Sequence, residues 1–181
     1  LGVVTLMTAQ GIPFVHCGQD FGRSKGGHDN TYNLGDQVNN IDWTVKRDNH
    51  RLYRHYREAI ALRTAHPMFR LGDAELVKEA VKFLDTDLGI GLPSGVLAYE
   101  VTDPPLKPGE SREPDSWRRC VVVLNGSPIP SEVSLPKGNW RAAMVDGAFG
   151  RTPAHRKPAK VSSMVRVPAH GASIVYEERE A

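Results

Sequence analysis

Leu1–His16, LGVVTLMTAQGIPFVH, is the stretch that decides the fold. Leu1–Ala9 reads as the end of a buried helix, stopped by Gln10-Gly11 with Pro13 just beyond. Ile12–His16 is then a short apolar run bounded by Gly11 and Gly18, the pattern of a buried parallel strand. Helix, tight turn and buried strand together form the rhythm of a parallel α/β sheet or barrel. No Lys, Arg, Asp or Glu occurs through Gln19. A leader or membrane span is nevertheless not expected. There is no initiating Met or basic leader, and Thr5, Thr8, Gln10 and Gly11-Ile12-Pro13 break the run short of about 20 apolar residues. An uncharged start is expected to be core from its first residue, so the chain is expected to be the C-terminal piece of a longer one.

Working outward, Gly18–Trp43 is irregular, punctuated by Gly22, Gly26, Gly27 and Gly35 and rich in Asp, Asn and Tyr. A loop of this length is usually functional. Asp48–Ala65 has helical periodicity: Leu52, Tyr53, Tyr56, Ala59 and Ile60 share an arc, with Arg47, Arg51, Arg54 and Glu58 opposite. Asp48 is expected to cap this helix and His66-Pro67 to end it. Arg63 alone falls on the apolar side, where a structural contact is expected.

The 181 residues carry 23 Lys and Arg against 21 Asp and Glu, a net charge of +2. That balance gives no strong field for nucleic acid or an anionic membrane. With 40% hydrophobic and 24% charged residues, the composition is that of a globular protein. Beyond residue 72 the hydrophobic period changes to two. Ala74–Leu84, Gly95–Thr102, Trp117–Asn125, Glu132–Leu135, Trp140–Val145, Ser162–Val167 and Ala172–Glu177 read as strands separated by turn signals, the pattern of a small antiparallel β-sandwich. Asp103–Ser116, with four prolines, is expected to be an exposed loop. The division expected is residues 1–72, then a sandwich over 73–181.

Asp20, Asp29, Asp36 and Asp42 place several carboxylates in the long loop, and in a (β/α)8 barrel such a position lies at the active-site end. Each is also an ordinary turn residue. His16, His28, His50, His55 and His66 show no metal-ligand spacing, so no metal is expected. Cys17 and Cys120 can form at most one bridge. No phosphate loop is present, and Asn125-Gly126-Ser127 is a glycosylation sequon followed by Pro128.

Three blocks in order carry a resemblance: Gly11-Ile12-Pro13-Phe14 through Gly18-Gln19-Asp20-Phe21-Gly22-Arg23-Ser24-Lys25, then Asn30-Thr31-Tyr32-Asn33, then Asp36-Gln37-Val38-Asn39-Asn40-Ile41-Asp42-Trp43. They are similar to the eighth-strand region of type I pullulanases, debranching glycoside hydrolases of the α-amylase superfamily. Ala61-Leu62-Arg63 and His66-Pro67-Met68-Phe69-Arg70 continue the likeness. The resemblance implies the last strand, loop and helix of a (β/α)8 TIM barrel followed by a β-sandwich. It also implies a parent enzyme that cuts α-1,6 branch points in pullulan, starch, glycogen or limit dextrins with retention, using paired carboxylates. Those carboxylates would lie upstream of Leu1, so this segment would be inactive without the rest of its barrel. No cofactor is implied here, and calcium elsewhere in the parent stays open. By motif position Asp36 would hold a glucose, since carboxylates accept paired hydroxyl hydrogen bonds. The family's Arg four residues on is Asn40 here. Arg23, Asn33 and Asn39 would shape the pocket, and Tyr32 or Trp43 would offer a stacking face. The alternative is an autonomous carbohydrate-binding module that uses surface Trp117 and Trp140, although a tryptophan in a sandwich strand is more often core.

Overall fold

The computed structural model describes residues 1–149 and 158–179. Helices dominate up to residue 80: α1 (Gly2–Thr8), α2 (Asp36–Asn39), α3 (Thr44–Asp48), α4 (His50–Ala65) and α5 (Ala74–Ala80). Strands follow: β1 (Val81–Phe83), β2 (Val96–Thr102), β3 (Trp117–Asn125), β4 (Ser131–Ser134), β5 (Arg141–Val145), β6 (Ala148–Phe149), β7 (Met164–Val167) and β8 (Gly171–Glu178).

The strands form a six-stranded sheet in the order β1-β2-β3-β8-β5-β6 and a two-stranded sheet, β4-β7. Every pairing is antiparallel. Strand β3 is apolar on both sides because both sides are covered. Its residues Cys120, Val122 and Leu124 join Tyr99, Val101, Ala172, Ile174 and Tyr176 in one cluster with Val3, Val4 and Met7 of α1 and Tyr56 and Ala59 of α4. The alternate residues Val121 and Val123 pack with Ala98, Val175, Val133, Val165, Val167 and Trp140 on the side of the small sheet. Register explains the sorting: Tyr99, Val122 and Ile174 lie in one cross-strand row and Ala98, Val123 and Ser173 in the next, so a one-residue slip would exchange the two cores. The result is an α/β region joined to a small antiparallel sandwich-like unit. Among the described residues there is no parallel strand pair and no closed barrel.

Arg63 ties the helical part together. Buried on α4, it donates from Nη1 to the carbonyls of Met7 (3.0 Å) and Ala9 (2.6 Å), and from Nη2 to that of Gly11. The Met7 carbonyl is one that α1 leaves unpaired at its end, and those of Ala9 and Gly11 belong to the cap and turn that follow. A second joint links helix to sheet. His66 Nδ1 lies 2.8 Å from Asp115 Oδ1, and Asp115 also accepts from the backbone N–H of Met68 (3.1 Å) and Trp117 (2.9 Å). The His66 ring stacks on Trp117 at 3.6 Å, and Trp117 stacks on Tyr176 at 4.2 Å. Thr8 and Tyr99 share a 2.6 Å hydroxyl contact between α1 and β2.

Several sequence expectations are corrected. Ile12–His16 is extended but belongs to no sheet, and Ile12 and Phe14 are 97% and 85% exposed. A strand needs a neighbour for its backbone, and no described strand lies beside this one. Asp48 closes α3 rather than capping α4; Asn49 precedes α4 and makes no side-chain cap. Leu52 and Ile60 are partly exposed rather than core. The expected strand from Ala74 begins as α5, because Asp73 accepts a capping bond from the Leu76 N–H and Ala-Glu-Leu-Val-Lys-Glu-Ala suits a helix. The two-residue strand β6 went unanticipated. The 103–116 loop is exposed along its middle but anchored at both ends by buried Asp103 and Asp115. Arg112 pairs with Asp103 and Glu110, and Arg179 with Asp103. Trp117 and Trp140 are core residues, as tryptophans in sandwich strands more often are, so the surface platform that the binding-module alternative placed on them is absent. Trp140 is 1% exposed and donates its indole N–H to the Pro136 carbonyl at 2.7 Å.

Candidate functional site

The long loop between α1 and α4 is held from within. Arg23 donates from Nε to the Asn40 carbonyl (3.1 Å), from Nη1 to that of Cys17 (3.4 Å), and from Nη2 to that of Asn39. One guanidinium thus clasps the beginning of the loop to its end. Gly18 makes the clasp fit. Its φ is +86°, and a Cβ there would stand 2.7 Å from Arg23 Cβ and 2.9 Å from Arg23 Cδ, so a side chain is excluded by conformation and by space.

A second brace crosses the middle. Asn39 Nδ2 donates to the carbonyls of Thr31 (2.7 Å) and Leu34 (2.5 Å), while Lys25 Nζ donates to Thr31 Oγ1 (2.5 Å) and Asn39 Oδ1 (3.2 Å). The loop's far end rests on Phe21, whose ring lies 5.5 Å from that of Trp43 and whose carbonyl accepts from Asn49 Nδ2 at 2.9 Å. Lys25 and Thr31 carry much of this brace and escaped sequence reading. Both stand inside the quoted blocks, but nothing in their spacing marks them as partners of Asn39, and only the folded loop brings the three together.

Among the sequence-predicted site residues, Arg23 and Asn39 therefore point their donors into the loop. Asp36, Asn33 and Tyr32 point outward. Asp36 opens the short helix α2, is exposed, and its carboxylate has no hydrogen bond or ion pair among the described residues. Tyr32 is 84% exposed and Trp43 63%. Asn33 is exposed on the same turn as Tyr32. Asn40, at the position where an arginine was expected, uses its carbonyl to receive Arg23. Two other loop carboxylates serve local turns. Asp29 accepts from the Asn30 N–H, and Asp42 accepts from the Thr44 N–H and hydroxyl, whose hydrogen bonds hold the Asp42 carboxyl below its ordinary range.

Chemically the loop offers an acceptor-only carboxylate, an amide, a phenol and an indole face on a stiff frame. Groups of these kinds can hydrogen-bond to hydroxyls and stack on sugar rings. Among the described residues no group of three or more His, Cys, Asp or Glu side chains converges, and no helix is long and apolar enough to cross a membrane. Cys17 is an exposed free thiol and Cys120 a buried one, pushed up in pKa by its burial.

Comparison with known proteins shows which family the chain is similar to. The chain is 31% identical over 97% of its length to a pullulanase of Bacillus subtilis, of which it covers 22%. Among solved structures, the type I pullulanase of Bacillus subtilis complexed with maltose superposes with a TM-score of 0.81 at 29% identity, over 98% of this chain and 22% of that one. The pullulanase from Bacillus acidopullulyticus gives 0.79 at 28% identity, over 96% of this chain and 19% of that one. The chain thus spans about a fifth of the length of these relatives. Residues 29–177 match the family described as alpha-1,6-glucosidases, pullulanase-type, C-terminal. That match runs from within the braced loop to the last strand of the sheet, and the chain belongs to this family.

Proposed function

We propose that this chain is the non-catalytic, glucan-engaging C-terminal part of a longer pullulanase-type enzyme that hydrolyses α-1,6 branch linkages in pullulan, starch, glycogen or limit dextrins. The observation that carries the reading is Asp36. Its carboxylate has no partner among the described residues, and it stands on a loop with exposed Tyr32, Asn33 and Trp43 whose stiffness comes from Arg23, Lys25 and Asn39. A frame that orders itself leaves its outward groups available to a sugar at little further entropic cost. In this reading Asp36 accepts from vicinal hydroxyls, Tyr32 and Trp43 lie along sugar faces, Asn33 adds an amide, and Arg23 and Asn39 shape the pocket from behind.

The same proposal covers the remaining architecture. Residues 1–72 complete a (β/α)8 barrel supplied by the rest of the enzyme, and 73–181 form its companion sandwich. The extended Ile12–His16 segment, with its exposed Ile12 and Phe14, supports this. Its exposed apolar side chains, and a backbone that pairs with no described strand, suit insertion beside a further strand. Taken alone, the chain acts as a carbohydrate-binding module without catalysis. Its binding face is the loop, since Trp117 and Trp140 are buried.

Titrating the chain with maltotriose while following tryptophan emission tests the reading. A saturable response is expected, lost in Trp43→Phe, together with no release of reducing ends from pullulan. A flat titration of the folded chain removes the binding role, and turnover of pullulan by these residues alone removes the non-catalytic one.

A further inference from the structure

Away from the loop, two cavities of about 290 and 310 Å³ adjoin at Asn139 and Arg141. The first is walled by Arg118, Arg141, Glu177, Glu178 and Arg179, the second by Gly138, Trp140, Lys160 and Val161. The wall is organised from beneath. Glu177, 7% exposed, accepts from Arg119 Nε (2.7 Å), from Arg118 Nη2 (3.1 Å) and from the Asn139 N–H. Arg119 in turn lies over the Trp140 ring at 4.7 Å and pairs with Glu100 at 2.9 Å. A Cβ at position 138 would fall 2.4 Å from Glu177 Oε1 and 2.7 Å from Arg119 Nη2, so any side chain there would push these two groups out of their places.

What the wall leaves unused is a surplus of donors. Glu177 has both oxygens engaged. Arg141 offers only Nε to Glu178, at 3.1 Å, and Arg118 only Nη2 to Glu177. Arg179 directs Nε to the Asp115 carbonyl and Nη2 to Asp103. Several guanidinium N–H groups of Arg118 and Arg141 therefore have no partner among the described residues, and neither does the Lys160 ammonium. Glu178, Glu177, Glu100 and Asp103 match the four arginines in charge, which leaves Lys160 unmatched. A ligand that satisfies this wall must be rich in acceptors and negatively charged, and the planar forks of Arg118 and Arg141 suit a tetrahedral oxyanion. The second cavity gives room for the group that carries it.

We propose that this groove binds a phosphate-type oxyanion, free or carried as a monoester on a sugar, through Arg118, Arg141 and Lys160. Amide and guanidinium NMR signals of the full chain, followed during titration to roughly 20 mM ligand, read a millimolar site directly. Glucose 6-phosphate, inorganic phosphate and glucose serve as probes. Saturable shifts at Arg118, Asn139 and Arg141 with either phosphate, and none with glucose, support the site. Tighter binding of glucose 6-phosphate assigns the monoester, and equal binding assigns the free ion. Lys160→Gln changes an exposed side chain without a described partner, so the fold is kept, and it is expected to weaken binding about threefold. Arg141→Gln is expected to weaken it about tenfold, the worth of one charge-assisted hydrogen bond. Near-UV circular dichroism identifies a variant that has lost its fold. No saturable shift, the same shifts with glucose, or unchanged affinity in both folded variants overturns the proposal.

Discussion

Replacing Arg63 by Met should be among the most damaging single changes in the helical part. The methionine retains most of the hydrocarbon stem, so packing against α1 is largely preserved. It removes the guanidinium that binds the carbonyls of Met7, Ala9 and Gly11. Hydrogen bonds to a charged donor contribute about 1.5 kcal/mol each at the low end, so three give roughly 4.5 kcal/mol. Part of this is returned, because the variant no longer buries a charge; burial and the nearby Arg70 already hold the Arg63 pKa below its ordinary value. Allowing about 1.5 kcal/mol for that relief leaves a loss near 3 kcal/mol. With a urea slope of about 2 kcal/mol/M, the midpoint should fall by about 1.5 M. Urea unfolding followed by tryptophan emission measures this. A midpoint change below roughly 0.3 M would refute the reasoning, because it would mean that the three carbonyls are satisfied without the guanidinium.

Other consequences are as specific. Burial raises the Asp115 carboxyl pKa, but hydrogen bonds from His66, Trp117 and Met68 outweigh it and the net shift is downward. A depressed folded pKa means the stabilisation is present above the unfolded value near pH 4 and is lost as pH falls through the folded one. Asp115→Asn should therefore destabilise the chain at neutral pH, with the difference from the parent shrinking on acidification below about pH 4 in urea titrations. Gly18→Ala should lose about 1–2 kcal/mol from its left-handed backbone and its collision with Arg23, and nearly as much in an Arg23→Ala background, because the nearest contact, at 2.7 Å, is with the Arg23 Cβ that alanine keeps, as a double-mutant cycle would show. The Tyr99 phenol, buried against Thr8, is pushed up to about 12 and should ionise later than exposed tyrosines in an ultraviolet pH titration. Trp140→Ala should cost about 3–5 kcal/mol through the cavity it opens, which thermal unfolding detects.

The sandwich strands were legible because their signal is local. Trp117–Asn125 was placed to the residue, since a β-rich run between a charged loop and Asn125-Gly126 admits few other readings. Arg63 was legible as well, because one charge on an apolar arc has to find partners. The failures share a physical origin in tertiary context. Ala74–Ala80 alternates poorly and has good helix formers behind an Asp cap, yet its β-branched Val77 and neighbouring strand pattern favoured a strand reading. Ile12–His16 looks buried because its residues are apolar, but burial is a property of neighbours. Trp117 and Trp140 went the favoured way into the core, which the size of the indole makes the commoner outcome in a sandwich strand even where nothing local settles it. In the candidate site, the motif singled out Asp36 and Tyr32 as candidates, whereas the division between residues that brace the loop and residues that face outward rests on hydrogen bonds across six to seventeen residues of chain.

The most direct test of the account is a maltotriose titration of the folded chain, compared among the parent, Asp36→Ala and Trp140→Phe. Asp36 is exposed with no described partner, so its removal should leave stability unchanged. Binding should weaken by about a hundredfold, the worth of a carboxylate that accepts two hydroxyls at about 1.5 kcal/mol each. Trp140→Phe should keep the parent's affinity, because Trp140 is core. Equal affinity of Asp36→Ala and the parent, or loss of binding in a folded Trp140→Phe variant, would contradict the claim that the loop is the glucan-engaging face.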